Sequence, residues 1–93
     1  MARVKVKFYG VLAEAVQRKE ADVEASSLHQ LLNTLSIKCG SSFREKIYNE
    51  DGTLRRFVNI YVNGKNIRFL HGVNTKLSDG DEVLLIPAVS GGF

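Results

Sequence analysis

Few residues in this chain are equipped for chemistry. There is one cysteine, Cys39, and there are two histidines, His29 and His71. A metal site needs several sulfur, imidazole or carboxylate ligands converging on one point, and neither histidine has a histidine partner four residues away or a cysteine cluster beside it. A single cysteine excludes an internal disulfide. Nothing in the sequence around Cys39 argues for a lowered thiol pKa, so it reads as a small residue near a helix end. Asp79, Asp81 and Glu82 cluster without the spacing of a calcium loop and read as solvated turn acids. No phosphate-binding fingerprint is present, because Gly91-Gly92 has neither a lysine nor a following helix. What remains is Gly91-Gly92 itself. The apolar run Val83–Ile86 passes through Pro87 into Val89, Ser90 and the two glycines, so a rigid strand gives way to a slim tether. A Gly-Gly segment has no Cβ to clash and reaches backbone conformations closed to other residues, which suits it to a narrow channel in another protein. A carboxylate on Gly92 can attack the α-phosphate of ATP to give an acyl-adenylate, and a sulfur or amine nucleophile can then displace AMP. In that chemistry the ATP belongs to the activating partner and this chain binds no cofactor directly.

The elements that must carry this tail follow from periodicity. Residues 3–9 alternate, with Val4, Val6 and Phe8 on one face, as in a strand with one buried side. Residues 11–16 read as a short turn or helical stub, and 19–24 as a second, more polar strand. Ser26-Ser27 opens the clearest helix: Ser27 with Gln30 three residues on fits a capping box. Leu28, Leu31, Leu32 and Leu35 then make one apolar stripe, and Gly40 is the natural stop. A short helical piece is expected over 42–48, then a turn over 49–52. In the run 57–62, Val58, Ile60 and Val62 share one face while Phe57, Asn59 and Tyr61 share the other. Asn63-Gly64 is a hairpin signal, which predicts a returning strand or extended piece over 65–70. The turn 78–81 precedes a last strand over 82–88. The first strand and the Val83–Ile86 core of the last lack Gly and Pro, and both strands are expected to be central. The sum is an α+β domain, a mixed sheet of four or five strands with one main helix packed on one face.

Composition narrows the classes. At 93 residues the chain is expected to form one domain, residues 1–88, with residues 89–93 as a flexible tail. The net charge is +3, but the basic residues are scattered, with Arg18-Lys19 and Arg55-Arg56 the only adjacent pairs, which argues against a nucleic-acid partner. No apolar run reaches the length of a membrane span, and the start of the chain alternates instead of forming a signal-peptide core, so a cytoplasmic protein with no membrane partner is expected.

Several stretches together resemble a known family. Phe57–Lys65 (FVNIYVNGK), Leu77–Val83 (LSDGDEV) and Ile86–Gly92 (IPAVSGG) are similar to the MoaD/ThiS family of sulfur carriers, and Val4–Glu14 (VKVKFYGVLAE) is similar to that family's first strand and turn. The resemblance implies a β-grasp, ubiquitin-like fold. It implies that an E1-like enzyme adenylates Gly92, which becomes a thiocarboxylate, and that the sulfur passes to an acceptor. That acceptor is the pterin precursor of the molybdenum cofactor if the partner is a molybdopterin synthase large subunit. Related carriers serve other sulfur pathways or are joined to lysines as protein modifiers, so conjugation through Gly92 and a plain interaction module are the alternatives. On none of these readings is the chain by itself shown to be an enzyme. The family pattern stops at the second glycine, whereas Phe93 follows here: the favoured expectation is a processing peptidase that removes it, the alternative a relative that no longer carries sulfur.

A docking surface is also expected. If Val83 and Leu85 face the helix, then Leu84 and Ile86 face away, joined by Phe57 and Tyr61 and continued by Pro87 and Val89 toward the tail. An apolar surface of that kind marks a partner site. The competing expectation is that the segment 43–48 covers this second face.

Overall fold

The computed structural model describes residues 1–56 and 58–87. Its elements are β1 (Ala2–Phe8), α1 (Gly10–Val16), β2 (Glu20–Ala25), α2 (Leu28–Cys39), α3 (Ser41–Ile47), β3 (Val58–Val62), β4 (Lys65–Asn66) and β5 (Glu82–Pro87), with single 3-10 turns at Ile67–Phe69 and Gly72–Asn74. The strands form one sheet in the order β2-β1-β5-β3-β4. β1 and β5, first and last in the chain, lie side by side and parallel, and all other pairs are antiparallel. This is the mixed-sheet, helix-on-one-face α+β arrangement of the ubiquitin-like β-grasp.

The helix starts where its caps dictate. The Ser27 hydroxyl accepts from the Gln30 amide at 3.2 Å. Gln30 returns the favour one residue earlier than a standard capping box, because its Oε1 accepts from the Ser26 amide at 2.6 Å and the Ser26 hydroxyl at 2.9 Å. Leu28, Leu31, Leu32 and Leu35 are all buried against the sheet. Gly40, at φ +81°, ends α2 and at once opens α3, a reversal that a side chain would strain.

α3 answers the question of the second face. Phe43 and Ile47 are fully buried in the same cluster as the α2 leucines and the inward residues of β1 and β5. The Phe43 ring meets Phe8 edge-on at 6.2 Å between centroids. The segment 43–48 therefore packs on the helix side and does not cover the opposite face, because its two large apolar residues are four apart and bury together only toward the core. Phe43→Ala is expected to cost about 3 kcal/mol or more, as for other buried aromatic truncations, read as a lowered urea midpoint.

The returning strand is shorter than the 65–70 expected. Asn63 and Gly64 both have positive φ, 51° and 85°, and make the two-residue turn between Val62 and Lys65. Pairing then lasts only through Asn66, whose side-chain oxygen accepts from the Arg68 amide at 2.9 Å and starts a 3-10 turn. That local bond competes with the ladder and ends it.

Candidate functional site

The site is built around β5 because this strand leads to the tail. Val83 and Leu85 point into the core and are completely buried, while Leu84 and Ile86 alternate outward and are half-buried. On the outward face Leu84 lies between Lys7 of β1 and Tyr61 of β3, each in register with it. Ile86 lies opposite Asn59, and Pro87 opposite Val58. Tyr61, Leu84 and Ile86 thus form an apolar patch on the outward face; Pro87, expected to continue it, lies instead on the helix side, because alternation pairs it with the inward Val58 and sets its ring against Gly10. Phe57, Val89, Gly91, Gly92 and Phe93, which the sequence assigns to the same surface and tail, lie outside the described residues, as does the expected boundary at 88/89.

The other half of this face is charged. Arg3 pairs with Glu24 at 3.8 Å, Lys5 with Glu20 at 3.7 Å and Lys7 with Glu82 at 3.1 Å. The Glu82 carboxylate, through its hydrogen bond first and its charge second, holds the Lys7 ammonium above the usual lysine range. Lys7 therefore stays cationic at the border of the apolar patch. Such exposed pairs contribute little stability; here they mark where the apolar surface stops.

Two features of the site escaped sequence reasoning. One is the Lys7–Glu82 pair, which needs the parallel β1–β5 register to exist. The other is Gly10. A Cβ on Gly10 would lie 3.1 Å from Pro87 Cγ, and the residue sits at φ +56°. The Tyr9 amide beside it donates to the Leu85 carbonyl at 3.2 Å. The turn out of β1 is thus pressed onto the last described residue of β5 and fixes the direction in which the chain leaves the sheet. A glycine directly after an alternating strand was the available signal.

The turn acids are structural. Asp79 Oδ1 accepts from the Arg3 amide at 2.8 Å, and Asp81 accepts from the Ser78 amide at 2.8 Å and from Asn63 Nδ2 at 2.9 Å. Asn63 Oδ1 in turn accepts from the Glu82 amide at 3.0 Å. These bonds tie the β3–β4 turn to the start of β5. Among the described residues no group of three or more His, Cys, Asp or Glu is placed to hold a metal ion, and no helix is long and apolar enough to cross a membrane. Cys39 is partly buried, and that burial outweighs the nearby Arg18 and Lys38 charges to push its thiol above the ordinary cysteine value. Thiolate is the reactive form, so labelling of Cys39 by iodoacetamide at neutral pH is expected to be slower than that of a free cysteine and to rise only as pH climbs past 9, the unperturbed value.

Comparison with known proteins gives a consistent picture. The family model described as the ThiS family matches residues 6–92. A protein of Archaeoglobus fulgidus whose name assigns it to the sulfur carriers is 42% identical over 73 residues, covering 78% of this chain and 82% of that one. The sulfur carrier protein CysO of Mycobacterium tuberculosis is 38% identical over 76 residues, covering 81% and 82%. The solution structure of the small archaeal modifier protein 1 from Methanosarcina acetivorans superposes with a TM-score of 0.87 at 36% identity, covering 99% of this chain and 98% of that one.

Proposed function

The chain belongs to the ThiS family of ubiquitin-like sulfur carriers, and from that premise we propose that Gly92 is its working residue. An E1-like enzyme activates it: a Gly92 carboxylate oxygen bonds to the α-phosphorus of ATP and pyrophosphate leaves. Hydrosulfide then attacks the acyl carbon and displaces AMP, leaving a thiocarboxylate. The observation that carries this reading is that the family match continues through Gly91-Gly92 and stops before Phe93. The apolar patch of Leu84 and Ile86, on the strand that leads to the tail, with Tyr61 of the neighbouring β3, supports a docking role for that face toward the activating enzyme and the sulfur acceptor. Phe93 is removed first, by hydrolysis of the Gly92–Phe93 bond by a peptidase, because a bulky ring does not follow glycine into a narrow channel. The acceptor assigned here, on the sequence motifs, is the pterin precursor of molybdopterin, held by a large catalytic subunit in the cytoplasm.

A second reading has a specific observation in its favour. The 36%-identical structural relative is a protein modifier, and joining Gly92 to a lysine uses the same adenylate with an amine in place of sulfur. The deciding experiment is the intact mass of the chain isolated from its source under denaturing conditions, with an immunoblot of the same lysate. A mass ending at Gly92, with sulfur in place of one oxygen, is the result expected of a carrier. A ladder of higher-mass conjugates that disappears when Gly92 is deleted identifies a modifier. A mass that always retains Phe93, with no conjugates, rules out both.

A further inference from the structure

We infer that the free edge of β2 is a second docking site, one that takes an extended segment of a partner protein as an added strand. β2 pairs only with β1 among the described residues. The Phe8 amide donates to the Lys19 carbonyl at 2.8 Å, which sets the alternation of the antiparallel ladder. Given the register Val6↔Ala21 and Val4↔Val23, residues 21, 23 and 25 turn their backbone groups to β1. The amides and carbonyls of Glu20, Asp22 and Glu24 therefore point away from the sheet, a row available to a further strand.

Beside this edge runs a groove of about 440 Å³, between β2, the end of α1 and the C-terminal half of α2. Val16, Ala21, Val23 and Leu35 give it an apolar floor, and Arg18 and Lys38 stand on its rim. Both cations are exposed, and neither has an ion-pair partner among the described residues. On the opposite side of the strand Glu20, Asp22 and Glu24 are exposed, and Asp22 is the one of the three without an ion pair among the described residues.

Charge selects the occupant. Two copies joined antiparallel about Asp22 would set Asp22 against Asp22 and Glu20 against Glu24, like charges directly opposite, which disfavours a β2–β2 dimer. A partner strand fits when its inward residues are apolar, its outward residues are Lys or Arg beside Asp22, and an acidic residue at one end meets Arg18 and Lys38. This site lies across β1 from the apolar patch on β5 and β3, so it leaves the tail and its docking face free. The inference stands independently of the chemistry at Gly92.

The test is hydrogen exchange by NMR on the isotope-labelled full chain, with the capped peptide Asp-Asp-Val-Lys-Val-Lys-Val and the same residues in reverse order as probes. Without peptide the Asp22 and Glu24 amides are expected to exchange freely while those of Ala21 and Val23 are protected. Saturating peptide of one order should slow Asp22 and Glu24 by about tenfold or more. Asp22→Pro removes an outward N–H that β1 does not use, a change that edge strands tolerate, and should weaken binding about fivefold, the worth of one hydrogen bond. Arg18→Glu with Lys38→Glu, both at exposed positions, should weaken it by a similar factor and serves if the proline variant does not fold. The inference is overturned if neither peptide protects these amides at roughly 1 mM, an affinity any specific strand addition should exceed. It is equally overturned if the peptide perturbs Tyr61 and Leu84 instead, or if the peptide-free chain sediments as a dimer with its β2 edge already protected.

Discussion

Gly92→Val, introduced into a chain that ends at residue 92, is expected to lower thiocarboxylate formation by the activating enzyme by about a hundredfold or more. The proposed step requires the terminal carboxylate to approach the α-phosphorus of ATP in line, at the end of a channel in another protein. Valine adds a branched side chain at the reacting residue and closes the backbone conformations that glycine alone reaches. Displacing reacting atoms by about 1 Å costs on the order of 100-fold in rate. The buried cluster formed by the described residues runs from Val4 to Leu85 and does not draw on position 92. The unfolding free energy should therefore stay within about 0.5 kcal/mol of the parent, as for surface substitutions generally. The measurement is the yield of thiocarboxylate, by mass, in the reconstituted activation reaction. Full activity in the valine variant would mean that Gly92 is not where the chemistry occurs.

Leu84→Asp should separate docking from folding. Leu84 is half-buried on the outward face, between Lys7 and Tyr61, and it is not part of the buried cluster. In the free protein the new carboxylate remains solvated and has the Lys7 ammonium as a neighbour, so the cost is that of a strand substitution, about 1 kcal/mol. In a complex that buries this face the same carboxylate loses its water. Substitutions at the centre of an interface cost about 2–4 kcal/mol, which is roughly 30- to 1,000-fold in Kd. The expected result is an unchanged circular dichroism spectrum together with a Kd for the activating enzyme raised by that factor. Val83→Asp is the contrasting control: Val83 is completely buried in the core, and the variant should fail to fold. A folded Leu84→Asp chain that binds its activating enzyme like the parent would move the docking face elsewhere.

Both predictions begin from residues that were legible before any coordinates. Alternation in 3–9 and 57–62, the leucine stripe of α2, its serine cap and the Asn63-Gly64 turn are local signals, each set by one to three neighbours, and each is found in the fold. That Leu84 and Ile86 share a face opposite Val83 and Leu85 was legible as well, but in a run apolar on both sides only the fold shows that Val83 and Leu85 are the inward pair. The returning strand ends at Asn66, short of what the hairpin signal predicts, because the Asn66 side chain takes the Arg68 amide out of reach of the ladder. The destination of Phe43 and Ile47 was left open because a spacing of four says that two residues share a face without saying what that face meets.

The sequence by itself determined the main elements, the alternating faces of their strands, and the family to which the motifs point, since these depend on residue order over short spans. Only the tertiary structure decided which side of the sheet α3 covers, how the β1–β5 register pairs Lys7 with Glu82, how closely Gly10 approaches Pro87, and which edge of β2 is left open. Those features join residues as much as 77 positions apart, as Gly10 and Pro87 are. Their contacts are set by how whole layers pack, and no local pattern encodes that packing.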